Sequence, residues 1–235
     1  LMLVAWSVLA RRTVPGAAST WVLVLAAAML LLGAGVGLSF YVVYGSFTPE
    51  LRMGFTKLQY ALGPPTLIVA FAILAGLVAS WRQMGRLPWR EPAFVALVLS
   101  PVVFGAGGYL GLFVDGADTR TPAHYHGVIA GVNLAFMGLF LAYVLPALAR
   151  KPETTTFRLR LQILLFGLGQ LAASIGLFVA GGYGAPRKVA GAAQGLSGPA
   201  RIGMYLNGIG ALIAVIGGVM FIWTVLRALL PKDMR

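Results

Sequence analysis

Six apolar runs occupy most of this chain, and each is close to the ~20 residues a helix needs to cross the hydrocarbon core of a bilayer. They fall at about Thr20–Tyr44, Leu58–Trp81, Pro92–Val114, His124–Leu148, Leu161–Gly182 and Met204–Leu229. The fold class expected is all-α: a polytopic transmembrane helix bundle of about six spans, forming one helical domain over residues 1–235. Leu1–Ala10 is a further apolar stub that ends at Arg11-Arg12 and reads best as the tail of another helix, with a signal-peptide remnant or a processed start as alternatives.

Composition agrees with a membrane environment. Hydrophobic residues make up 59% of the chain and charged ones 10%, and the mean hydropathy is +0.88. There is no cysteine, which removes disulfides, thiolate metal sites, iron–sulfur clusters and covalent haem attachment. The net charge of +12 does not point to nucleic acid, because the basic residues punctuate the apolar runs and form no stripe.

Their distribution sets an orientation instead. Arg11, Arg12, Arg82, Arg86, Arg90, Arg150, Lys151, Arg158, Arg160, Arg227, Lys232 and Arg235 fall on one side of the runs. Arg52, Lys57, Arg120, Arg187, Lys188 and Arg201 fall on the other. The richer side is expected to be cytoplasmic, with the C-terminus. The Ala-, Gly- and Arg-rich composition fits a bacterial inner membrane, in which the chain is expected to be multi-pass with His124 and His126 near the periplasmic side.

The acidic residues Glu50, Glu91, Asp115, Asp118, Glu153 and Asp233 are all expected in loops, and no lysine in a span. This argues against a proton-coupled transporter, which places carboxylates within the membrane. Gly33, Gly35, Gly37, Gly105, Gly107, Gly108, Gly111, Gly208, Gly210, Gly217 and Gly218 lie inside the runs and are read as close helix packing. Pro64-Pro65 and Pro101 are expected to kink their helices.

The chemistry concentrates in Thr121-Pro122-Ala123-His124-Tyr125-His126-Gly127, which holds both histidines of the chain. An ionisable side chain in lipid is costly and points to function. At 3.6 residues per turn, positions i and i+2 are about 200° apart around a helix. The two imidazoles therefore face opposite sides and do not converge on one ion. One helix would instead offer a ligand to each of two neighbouring sites, as two flanking haems require.

The order of features around this pair is specific. Phe104-Gly105-Ala106-Gly107-Gly108-Tyr109-Leu110-Gly111 is followed by Asp118-Thr119, then Ala123-His124-Tyr125-His126. Gly184-Ala185-Pro186-Arg187-Lys188 comes later, before a last span with Asn207, Gly208, Gly210 and Trp223. This set resembles the C-terminal half of subunit I of the haem–copper oxidases, helices VII–XII. The resemblance is carried by the phenylalanine- and glycine-rich stretch, the Asp-Thr loop, the Ala-His-aromatic-His motif and a Pro-Arg-Arg motif before the last helix. It is best from about Val103 to His126 and weak before Trp81.

That resemblance implies roles residue by residue. His124 matches the axial ligand of the high-spin haem, and His126 matches one ligand of the low-spin haem. Arg187 and Lys188 match the arginine pair that holds haem propionates, although lysine is a point charge without the bidentate fork. Asp118 matches the aspartate near the propionates and the magnesium site. His126 is the favoured ligand, because a low-spin haem needs no copper partner.

The departures limit what is implied. Ala117 stands where the family has a histidine, and Thr20–Tyr44 carries no histidine pair. Two histidines do not make a three-histidine copper site, so no copper site is expected from this chain alone. The second ligand of a bis-histidine haem would come from a partner chain or a methionine.

The expected function is a haem-binding membrane subunit of a respiratory electron-transfer complex, with haem of b or a type. Its partners would be other membrane subunits, the lipid bilayer and a periplasmic cytochrome c or cupredoxin, with no nucleic acid. The alternatives are half of a split terminal oxidase completed by a partner chain, and a cofactor-free structural or assembly subunit.

Overall fold

The computed structural model describes residues 1–14, 19–114, 116–189 and 191–230. Its helices are α1 (Met2–Thr13), α2 (Thr20–Val43), α3 (Pro49–Leu58), α4 (Gly63–Met84), α5 (Pro92–Gly111), α6 (Arg120–Leu139), α7 (Leu145–Ala147), α8 (Thr156–Gly182) and α9 (Gly198–Leu229). A π-helical turn, Phe140–Val144, joins α6 to α7, so the helix that begins at Arg120 continues to Ala147. Six stretches among the described residues are helical, long and apolar enough to cross a membrane, and they correspond to the six runs expected.

Two details differ from expectation. The second run starts earlier: Thr48 caps α3 by accepting a hydrogen bond from the Leu51 amide at 3.2 Å, and Pro49 sits in the first turn. Glu50, Arg52 and Lys57 therefore lie on a helix that leads into α4, and Glu50 is not in a loop as expected. Asp115, Lys232, Asp233 and Arg235 lie outside the described residues.

The chain divides into two compact units, Leu3–Leu87 and Pro88–Arg235. In the first, α2 packs against α4, and α3 folds back on α2. Phe40 and Phe55 meet edge to face at 5.5 Å, over the space that Gly54 leaves by having no side chain. Arg11 Nη2 donates to Thr20 Oγ1 at 2.8 Å, tying the end of α1 to the start of α2.

In the second unit α5, α6 and α8 pack on one another, and α9 packs on α8. Its core gathers Val95 and Val103 of α5, Ala130, Leu134 and Met137 of α6, and Ile163 of α8. Lipid tails are as apolar as leucine, so association here relies on close contact and on hydrogen bonds between helices. Glycine supplies the contact. A Cβ at Gly107 would overlap the backbone of Gly127 and Val128, and one at Gly131 would overlap Phe104. Between α8 and α9 the same holds at seven-residue intervals: Gly169 lies against Gly210 and Ala214, Gly176 against Gly203 and Asn207, and Gly217 against Gln162 and Phe166.

Of the glycines read as packing positions, Gly37, Gly107, Gly210 and Gly217 are buried against a neighbour, and Gly111 is half-buried against His124. Gly33, Gly35, Gly105, Gly108 and Gly208 meet nothing within 4 Å and are not contact positions among the described residues. Hydrogen bonds reinforce the seams. Ser100 Oγ, fully buried, donates to the Gly131 carbonyl at 2.6 Å and crosses from α5 to α6.

Candidate functional site

His124 lies in the first turns of α6, where Gly107 and Gly111 of α5 face it one helical turn apart. A Cβ at Gly111 would collide with the imidazole, so glycine is what leaves the ring its space. The ring nitrogen Nδ1 lies 2.8 Å from the Gly107 carbonyl oxygen. A carbonyl only accepts, so Nδ1 carries the proton and donates. This fixes the tautomer and leaves Nε2 with its lone pair. A histidine that ligates a metal generally has its other ring N–H held in this way.

His126 is placed differently. It is exposed, its ring lies 5.1 Å from that of Tyr125 at an interplanar angle of 31°, and it makes no hydrogen bond among the described residues. The ligand favoured from sequence thus lacks the orienting bond that its neighbour has.

Above α6 the polar residues are drawn together by a pairing that sequence alone did not reveal. The chain ends α8 with Gly184 at φ 81°, where Gly184 N donates to the Gly181 carbonyl at 2.9 Å and Ala185 N to the Ala180 carbonyl at 3.0 Å. That is a Schellman cap, and glycine suits its left-handed position. The capped chain then runs beside the loop before α6. Asp118 and Pro186 form a short antiparallel bridge, with Thr119 N donating to the Ala185 carbonyl at 3.1 Å and Arg187 N to the Ala117 carbonyl at 3.3 Å. Arg187 Nη1 adds a bond to the Gly116 carbonyl at 3.2 Å. Thr119 Oγ1, buried, donates to the Leu177 carbonyl at 2.7 Å and pins the loop to α8.

Asp118 and Arg187 are therefore neighbours at the end of the unit where His124 enters α6. Lys188 follows, exposed and in the left-handed region at φ 63°. The Asp118 carboxylate is already engaged. Arg120 Nη2 lies 2.7 Å from Oδ2, Arg120 Nε 2.9 Å from the same oxygen, and the Arg120 amide 2.8 Å from Oδ1. Burial pushes this carboxyl up, but the side-chain and backbone hydrogen bonds from Arg120 and its charge outweigh that and hold it below the ordinary value. The absence of a side chain at Gly181 makes room for Asp118 Oδ1 and the Arg120 amide.

Sequence reasoning missed the Gly107 carbonyl and Thr119 as parts of this arrangement. Gly107 and Gly111, like Gly127 and Gly131, are four residues apart, a spacing that marks a helix-packing face and was the available signal. No group of three or more histidine, cysteine, aspartate or glutamate side chains suited to a metal ion occurs among the described residues.

The residues present suit a haem in three respects. One imidazole is held with Nε2 available, Arg187 and Lys188 stand at the same end, and the Thr121 hydroxyl is buried there without a partner among the described residues. Copper is not matched, since the chain has two histidines and they diverge around one helix.

No protein-family model matches the chain. It is 30% identical over 227 residues to a cytochrome c oxidase subunit 1 of Thermus thermophilus, covering 88% of this chain and 40% of that protein. A second, shorter Thermus thermophilus sequence of the same name is 38% identical over 106 residues, 40% of this chain and 97% of that sequence. An uncharacterized protein of Rickettsia prowazekii is 32% identical over 136 residues, 54% of this chain and 26% of that protein. The chain thus spans two fifths of the longer Thermus subunit and about a quarter of the Rickettsia protein. Similarity to one subunit over most of the chain, joined to nearly complete coverage of a shorter sequence of that name, places this chain in the cytochrome c oxidase subunit 1 family.

Proposed function

We infer that this chain is a haem-binding membrane subunit of a respiratory electron-transfer complex, and that His124 and His126 each ligate a haem on opposite sides of α6. The observation that carries the reading is the hydrogen bond from His124 Nδ1 to the Gly107 carbonyl, which presents Nε2 in one tautomer and one direction. Haem, when bound, supplies one-electron transfer, and the protein tunes it through the axial ligand, nearby hydrogen bonds and burial.

The remaining roles belong to side chains at the same end. Arg187 and Lys188 neutralise the propionates of the cofactor. Arg120 cancels the Asp118 charge, so that a carboxylate can approach the loop without facing an unpaired anion. Gly111 keeps the imidazole upright by leaving it space. His126 takes its second ligand from a partner subunit, and electrons are exchanged with a periplasmic cytochrome c or cupredoxin. In this reading the cytoplasmic side is the end opposite His124, following the excess of Lys and Arg there.

The test is a pyridine haemochrome assay with a reduced-minus-oxidised spectrum on the full chain purified with its complex, comparing parent, His124→Ala and His126→Ala. Each substitution is expected to remove a separate part of the haem signal. Unchanged haem content and spectrum in both variants, or no haem in the parent, overturns the reading.

A further inference from the structure

At the end of the second unit opposite His124, the start of α8 and the end of α9 enclose a cleft of ≈ 250 Å³. Glu153, Thr154, Arg158 and Gln162 line it from the α8 side, and Trp223, Thr224 and Arg227 are among the residues lining it from α9. Its charge pattern is unusual for a helix start. The N-terminal end of a helix carries a partial positive charge and favours acidic residues in its first turn. The first turn of α8 has none and carries Arg158, while Arg227 approaches from the last turn of α9. Neither guanidinium makes an ion pair or a side-chain hydrogen bond among the described residues.

A second observation points to a missing partner. Gln162 is 1% exposed and lines the cleft, yet its Nε2 has no hydrogen-bond partner among the described residues. The amide oxygen is served by Thr224 Oγ1 at 3.1 Å, and the same hydroxyl also reaches the Met220 carbonyl at 2.8 Å. A buried polar group left unpaired costs about 1–3 kcal/mol, so a ligand that engages it is favoured.

Two free guanidinium groups, the positive end of a 27-residue helix and an unpaired buried amide make a receptor for a phosphate group. Trp223, 62% exposed at the rim, is placed as interfacial tryptophans are, where headgroups and acyl chains meet.

From these we propose that the cleft between the start of α8 and the end of α9 binds a phosphate-bearing anion, with Arg158 and Arg227 on the phosphate and Gln162 donating from below. An anionic lipid headgroup and free phosphate share this chemistry. The site is independent of haem, so failure of one reading leaves the other standing.

Native mass spectrometry of the full chain in detergent tests it, by titration with dioleoyl phosphatidylglycerol, dioleoyl phosphatidylcholine or inorganic phosphate. The parent is expected to retain one phosphatidylglycerol in preference to phosphatidylcholine. Arg158→Gln and Arg227→Gln should each weaken retention about tenfold, the equivalent of one charge-assisted hydrogen bond. Gln162→Leu should weaken it severalfold, and Arg86→Gln, outside the cleft, should not. Retention in excess inorganic phosphate identifies the lipid as the source, and displacement by it identifies free phosphate. A measurement that needs no variant is the parent's thermal midpoint, which phosphatidylglycerol should raise more than phosphatidylcholine. Equal shifts from the two lipids with no shift from phosphate, or equal retention by parent and Arg158→Gln/Arg227→Gln, overturns the proposal.

Discussion

His124 and Gly107 are joined across two helices: the Nδ1 of one meets the backbone carbonyl of the other at 2.8 Å. The bond exists because the helices approach closely enough for a side chain on α6 to reach the main chain of α5. That approach depends on residues that have no side chain of their own.

Gly111→Ala should therefore disturb the imidazole directly, because its new methyl group would meet the ring. Overpacking of this kind costs about 1–3 kcal/mol. A lower unfolding midpoint together with altered haem content is the expected outcome. Gly105→Ala, on an exposed face with nothing within 4 Å, should be neutral or slightly stabilising, and equal effects from the two would contradict the argument.

The α8–α9 seam makes a similar prediction without any cofactor. Gly176→Ala or Gly210→Ala sets a methyl group against backbone on the facing helix. Each should destabilise the pair by about 1–3 kcal/mol, with backbone shifts where the strain is relieved. Gly208→Ala serves as the control, since its position is open. Denaturant unfolding in mild detergent reads the difference.

Thr119→Val removes the buried bond to the Leu177 carbonyl while keeping the shape of the side chain. A loss of about 1 kcal/mol is expected, with faster amide exchange at Thr119 and Arg187, whose amides hold the bridge. Thr56→Val, an exposed threonine bonded only within its own helix, should change neither.

The Asp118–Arg120 pair sets a pH window. The folded carboxyl lies below its ordinary value of 3.8, so its ionised form is favoured by folding. Its contribution is complete at neutral pH and is lost as pH falls below about 4, through the folded value. Protection of the Thr119 and Arg120 amides, taken against the intrinsic exchange rate at each pH, should fall in that acid range in the parent. In Asp118→Asn it should be low already at pH 7 and show no such step.

Much of the fold was legible because lipid reduces the problem to length and hydropathy, and the six runs stand out on both. Thr48-Pro49-Glu50 carries the residues of a capped helix start, but the apolar run that marks the span begins only near Leu58, so the helix reaches beyond the run. The π-helical turn over Phe140–Val144 carries no residue that marks it. Glycine alone did not separate contact from exposure: Gly208 and Gly210 are two residues apart, face different ways, and only Gly210 meets α8. For the site, the types of residue were legible and their pairing was not. Asp118 and Arg187 lie far apart in the chain, and only the tertiary fold brings them side by side.

The short bridge at Asp118 and Pro186 has a consequence for how the protein is made. Its arginine tie, from Arg187 to Gly116, joins positions 71 residues apart, with two complete membrane crossings between them. The tie can close only when α6 and α8 have been threaded in opposite senses and both ends have arrived on the same face of the bilayer. A chain with α8 inserted backwards would strand the two partners on opposite sides.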